Sequence, residues 1–261
     1  MLYGWVNESS ERQTGDDAWT NGLYFCGDEN DGAQASGCAL IDVVDDRQDD
    51  RDQSYYFYFD ASNSKKVKAT DASELKSKTI NDLKYSFNES GKMVSEWAMP
   101  KAPVDAASVS SYHYFNLPEQ GWRAKSWFNV VPEKDVYKST YDYDSAKWFY
   151  AENDGDIVKS KIKTINSKKY AFNSKGEMLS GVQAMTSISD IVGNKAIDDA
   201  DLVDALKDGT LTFDGYNGKS YKIGKFLDNP KSAVGNNSAY VVNTSGSIMK
   251  NKKNLKDTDD Y

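Results

Sequence analysis

Few side chains in this sequence are equipped to make or break bonds. His113 is the one histidine in 261 residues, and Cys26 and Cys38 are the only cysteines. A single imidazole leaves no histidine-rich metal site. The run "YHYF" (Tyr112 to Phe115) sets His113 inside an aromatic strand, where packing is its ordinary role. The cysteine spacing fits no CxxC metal pattern, and neither thiol stands in a recognisable nucleophile context. If residues 23–26 and 38–41 are the two arms of one hairpin, the thiols face each other and could oxidise; otherwise they are two unpaired small apolar groups. Paired carboxylates can hydrolyse glycosides. Here, however, the acids gather in turns and in the run "DDRQDDRD" (Asp45 to Asp52), where solvation keeps their chemistry ordinary. "DENDG" (Asp28 to Gly32) has its glycine one place early for a calcium loop and lacks the closing Glu, so it reads as a hairpin turn. There is no phosphate-binding loop and no dinucleotide glycine signature. The expectation is a non-catalytic chain with no cofactor and no metal.

What the sequence does supply is rings. Only 39% of residues are hydrophobic, yet 13% are aromatic, with 17 Tyr and 6 Trp. A compact enzyme core would lean on Leu, Ile and Val. Amphipathic rings instead suit thin structures in which one side of a ring is buried and the other is wet. The net charge of −8 argues against a nucleic-acid partner, which requires clustered Lys and Arg. No apolar run approaches the roughly 18 residues of a membrane span. No charged-then-apolar leader follows Met1.

The rings recur at fixed intervals. "YSFNESGKMVS" (Tyr85 to Ser95) returns as "YAFNSKGEMLS" (Tyr170 to Ser180), and "KTIN" (Lys78 to Asn81) returns at Lys163 to Asn166. A weaker copy, "YVVNTSGSIM", begins at Tyr240. The unit is aromatic, any residue, aromatic, a short polar turn ending in Gly, then an apolar residue two further on. Alternating aromatics place both rings on one strand face. The Asn- and Gly-containing turn supplies the positive φ of a tight reversal. Further copies start at Tyr24, Tyr114 and Trp148, giving turn glycines at Gly32, Gly91, Gly121, Gly155, Gly176 and Gly246. Single hairpins of this size cannot bury a face alone and must stack on one another. The expected fold is therefore all-β, an elongated β-solenoid of stacked β-hairpin repeats with one short inserted helix.

Hairpin repeats are expected over 1–44, 55–99, 112–186 and, truncated, 211–261. Between them lie an acidic loop (45–54), a proline-containing connector (100–111) and a helical insertion (187–210), in which Ile197, Leu202, Val203, Ala205 and Leu206 follow helical spacing. "MLYGW" (Met1 to Trp5) aligns with "MVSEW" (Met93 to Trp97), and "LKDTDDY" (Leu255 to Tyr261) stops before another aromatic strand. Both ends fall in mid-repeat, which predicts a longer parent protein.

The units resemble the cell-wall-binding repeats of Gram-positive surface proteins, which include choline-binding modules, glucan-binding domains and the receptor-binding repeats of large clostridial toxins. The usual unit is similar to "WYY-L-x-x-x-G-x-M-x-x-G-W"; "WFYAENDGDIV" (Trp148 to Val158) and "FNSKGEMLSG" (Phe172 to Gly181) carry the match, and about two thirds of the chain is covered. In choline-binding members the "GW" tryptophan and the first aromatics of neighbouring units cage a quaternary ammonium by cation–π attraction. Here the "GW" position holds Trp5, Trp97 and Trp127, but Cys38, Lys161, Val182 and Lys252 elsewhere, and Lys84 and Lys169 replace the leading Trp of the best-paired copies. Lysine repels choline, so the departures favour the toxin-like and glucan-binding branches. The resemblance implies ligand-binding roles for Trp97, Trp127, Trp148, Tyr150 and Tyr114. It implies a secreted or surface bacterial protein whose partner is a cell-wall polysaccharide, glucan or host glycan, with choline the weaker fit. The competing expectation is a structural stalk or protein-interaction module in which the aromatics only pack the solenoid.

Overall fold

The computed structural model describes residues 1–102, 109–134, 145–185 and the short stretches 195–196, 213–214, 220–221, 231–232, 238–242 and 245–247. The chain divides into two units, Met1–Ala107 with Ser111–Ala124, and Ser108–Ser110 with Lys125–Tyr261.

The first unit contains β1 (Trp5–Val6), a single helical turn α1 (Ala18–Asn21), β2 (Tyr24–Phe25), β3 (Gly37–Val44), β4 (Asp52–Phe59), β5 (Lys76–Ile80), β6 (Leu83–Phe87), β7 (Trp97–Ala98) and β8 (His113–Tyr114). They pair antiparallel as β1–β2, β3–β4, β5–β6 and β7–β8. Strands β3 and β4 show why this sequence makes strands. Ile41 and Val43 alternate with exposed residues, and opposite them Tyr55, Phe57 and Phe59 alternate with half-buried ones. That period of two turns one face of the hairpin inward. The inward face closes over Trp5 and Trp19 as one core, and each fully buried Phe contributes about 1.5–3 kcal/mol by leaving water. The acidic run closes the β3–β4 hairpin, but Asp45 is not solvated: it is 3% exposed. It accepts hydrogen bonds from Arg47 Nε (2.7 Å) and from the Tyr55 hydroxyl (2.9 Å). The Arg47 guanidinium, ahead of other causes, holds the Asp45 carboxyl down at about 2.

The second unit contains β9 (Ser126–Val130), β10 (Lys147–Ala151), β11 (Lys161–Ile165), β12 (Lys168–Phe172) and β13 (Gly181–Met185). Beyond them lie β14 (Lys195–Ala196), β15 (Phe213–Asp214), β16 (Ser220–Tyr221), β17 (Lys231–Ser232) and β18 (Ser238–Val242). β9 pairs with β10 and β11 with β12, while the last six form one sheet in the order β14-β13-β18-β17-β15-β16. Among the described residues the fold is thus built mostly of β-hairpins with almost no helix. The helix expected over 187–210 lies outside the described residues, apart from Lys195 and Ala196, which form β14.

All six turn glycines have the left-handed backbone that the reading requires, with φ between 62° and 95°. Their hairpins are nevertheless built differently from the expectation. After Gly91 the chain returns for a single bridge, Phe87 to Met93, and the same one-bridge return follows Gly155 (Ala151 to Ile157) and Gly176 (Phe172 to Met178). The full five-residue ladders lie upstream. β5–β6 turns on Asn81 (φ 49°) and Asp82 (φ 64°), and β11–β12 turns on Asn166 (φ 47°) and Ser167 (φ 65°). Two successive positive φ values give the mirror-image turn whose twist matches that of the strands. Each repeat is therefore a ladder hairpin followed by a tight asparagine turn.

Two further copies of that tight turn carry no glycine. Val6 bridges Arg12 and Phe59 bridges Lys66, with Ser10 (φ 59°) and Ser64 (φ 54°) in the left-handed place. The first matches its glycine-containing relatives atom for atom: Asn7, Asn88 and Asn173 each accept, through Oδ1, the backbone N–H four residues on. "VNESSER" is thus a copy of "FNESGKM" with Ser for Gly. The residue before each "GW" position is left-handed as well, at Gly4, Gly37, Glu96, Ser126 and Ser160.

β2 pairs with β1, and residues 38–41 pair with β4, so the two cysteines are not on facing arms. Both are free thiols, Cys26 buried and Cys38 exposed.

Candidate functional site

The β9–β10 register sets Trp127 directly opposite Tyr150, and Trp148 lies two residues before Tyr150 on the same face of its strand. The other face carries Phe128 and Phe149, stacked at 5.5 Å and 18° and both buried. That pair anchors the hairpin, leaving the Trp127 face to meet β12. There the Trp127 ring lies 4.7 Å from Tyr170, 5.2 Å from Tyr150, 5.7 Å from Phe172 and 6.3 Å from Trp148, centroid to centroid. Its contacts with Tyr170, Tyr150 and Trp148 are edge-to-face, which the ring quadrupole favours over a face-to-face sandwich. Beneath them sits a small core of Val158, Ile165 and Phe172. Trp148 is 47% exposed, a large apolar ring left in water at the edge of this cluster.

Charge stands beside the rings. Lys163, cross-strand from Tyr170, donates to Glu152 Oε1 at 2.7 Å, and its ammonium lies 5.4 Å from the Tyr150 ring centre. Lys161 reaches the same carboxylate at 3.7 Å. The cluster therefore combines an exposed indole with a cation and a carboxylate able to donate to and accept from hydroxyl groups.

Three of the five sequence-predicted residues, Trp127, Trp148 and Tyr150, are thus brought together. The other two form a separate pair in the first unit. Trp97 faces Tyr114 across β7–β8 with ring centres at 5.3 Å and 61°. Tyr114 is 6% exposed, and burial, before the nearby Glu96, pushes its hydroxyl pKa up. His113 pairs with Ala98 in the same two strands, its ring 6.2 Å from Phe115. Sequence reasoning missed Tyr170, Phe172, Lys163 and Glu152. The signal for Tyr170 was present, since it heads one of the two best copies, but its contact with Trp127 bridges successive hairpins and leaves no periodic trace.

No family model and no curated protein sequence matches the chain. Solved structures do resemble it. One is choline-binding protein F from Streptococcus pneumoniae in a second crystal form, at 14% identity and TM-score 0.43, over 95% of this chain and 87% of that one. Another is the same protein in the presence of a peptidoglycan analogue, at 17% identity and TM-score 0.42, over 95% of this chain and 58% of that one. A third is the choline-binding domain of CbpL from the same organism, at 14% identity and TM-score 0.34, over 97% and 100%. At these identities and TM-scores no ligand and no residue role carries over to this chain. The solved structures to which the chain is similar are choline-binding proteins.

Proposed function

We propose that the chain is a non-catalytic cell-wall or carbohydrate-binding repeat module that anchors a secreted or surface bacterial protein by aromatic stacking. The observation that carries this reading is Trp148, an indole 47% exposed beside Trp127, Tyr150 and Tyr170 rather than folded into the core. A sugar ring laid on that indole would find Lys163 and Glu152 within the same hairpins to meet its hydroxyls. A quaternary ammonium fits less well, because Lys163 already brings a cation to the Tyr150 face. Cell-wall polysaccharide, glucan or host glycan is therefore the proposed partner class. Affinity per site is weak and retention comes from several repeats, stacked as a solenoid, engaging at once.

The test is retention on insoluble cell-wall polysaccharide and α-glucan. Trp148→Ala leaves the core cluster intact and should cut retention at least severalfold. Trp127→Ala plus Trp148→Ala should abolish it in protein whose circular dichroism is unchanged. Unaltered retention by the folded variants rejects this site.

A second reading is supported by how the other rings are spent. Phe57, Phe59, Phe87, Phe115, Phe149 and Phe172 are fully buried, and Tyr114 nearly so. On that reading the module is a structural stalk or protein-interaction module, Tyr85→Ala or Tyr170→Ala unfolds it, and no glycan binds.

A further inference from the structure

The first unit holds a cleft of about 470 Å³ that contains none of the residues discussed above as ligand-binding. It opens between the Gly15–Trp19 segment and the loop end of the β3–β4 hairpin, with Trp5, Trp19, Ala18, Val43 and Val44 forming an apolar wall. Asp16, Asp42, Asp52, Gln53 and Ser54 supply its polar lining. We propose that this cleft is a binding site for an amino sugar bearing a free amine.

Size, charge and hydrogen-bonding capacity all point the same way. The volume lies in the range of small-molecule sites and admits a mono- or disaccharide. Trp19 spends its indole N–H on the Val44 carbonyl at 2.9 Å, so its ring offers an apolar surface only, suited to the C–H face of a sugar. Of the three lining carboxylates, Asp16 is neutralised by Arg51 at 2.6 Å. Asp42 has only the Ser54 hydroxyl, at 2.5 Å, and among the described residues no lysine or arginine pairs with Asp42 or Asp52. A recess with low-dielectric walls focuses that residual negative potential. Carboxylates and the Gln53 carbonyl are acceptors that want N–H and O–H donors. A protonated primary amine on a hydroxylated ring supplies both, whereas a quaternary ammonium supplies neither and an acetylated amine has lost its charge.

The proposal is independent of the aromatic site in the second unit. The test titrates the full chain, by calorimetry and by NMR shifts, with glucosamine, N-acetylglucosamine, glucose and tetramethylammonium. A pH of about 6 keeps the amine charged and the aspartates ionised. Glucosamine should bind at least about tenfold more tightly than the other three, as expected for a charge-assisted hydrogen bond. Asp42→Asn plus Asp52→Asn, at surface positions that leave the core untouched, should reduce glucosamine affinity by about the same factor. Equal binding of all four probes, undiminished binding by the folded double variant, or no glucosamine binding to folded wild type would each overturn the assignment.

Discussion

Lys66 shows most clearly what single residues contribute. It is 4% exposed, its ammonium donates to the Trp19 carbonyl, and it lies 4.8 Å from the Trp5 ring and 5.7 Å from Phe57. Those contacts favour the charged form, but burial, with Lys68 a lesser cause, wins and pushes the Lys66 pKa down to about 7. A folded pKa below the unfolded value means that the unfolded chain holds the proton more tightly. Stability is then greatest above about pH 10, falls as the pH drops towards 7, and is flat below. Urea unfolding between pH 7 and 10 should show wild type gaining stability relative to Lys66→Met as the pH rises; a difference that does not change with pH would contradict this. Asp45 has the opposite sign. Its carboxyl is held at about 2, so its contribution is present at neutral pH and is lost as acid titrates it between about pH 4 and 2. Asp45→Asn strips the Arg47 and Tyr55 contacts of their charge and should cost about 1–3 kcal/mol at pH 7, measured by the same unfolding.

The repeated element is the tight turn, and its stability turns on one backbone angle. Gly91 occupies the left-handed place at φ 84°, and a Cβ there would lie 2.7 Å from Lys66 Cδ. Gly91→Ala should therefore lose about 2 kcal/mol or more, from steric overlap and strain together. Ser10 and Ser64 hold the same place at φ 59° and 54°. Ser10→Gly and Ser64→Gly should each raise stability by about 0.5–1 kcal/mol, and thermal unfolding showing a loss would mean that the turns are not equivalent. These two serine turns were illegible in the sequence because glycine was the anchor used to find copies. The ladder turns at Asn81–Asp82 and Asn166–Ser167 were illegible for a related reason: the glycine of the ideal two-residue turn is missing, although the "KTIN" repeat marked the spot. The six glycine turns were legible because positive φ leaves few alternatives to glycine.

At the scale of the whole molecule, repetition was readable and the assembly of the site was only half readable. The spacing of Trp127, Trp148 and Tyr150 identified rings that do share one hairpin face, since cross-strand register follows from local pattern. Tyr170 and Phe172 reach Trp127 from the next hairpin, a contact fixed by packing rather than by period. The amino-sugar cleft had no sequence signature, since its walls come from Trp5, the Gly15–Trp19 segment and a hairpin more than twenty residues on. The central claim, that exposed rings on a hairpin scaffold hold polysaccharide, is tested most directly by a glycan screen of the folded chain. It should include muropeptides, α-glucans and choline and be read by tryptophan fluorescence. The account predicts saccharide hits that quench the tryptophans and lose that quench in Trp148→Ala. A blank across the saccharides on protein shown to be folded would contradict it and leave the aromatics with packing as their only task.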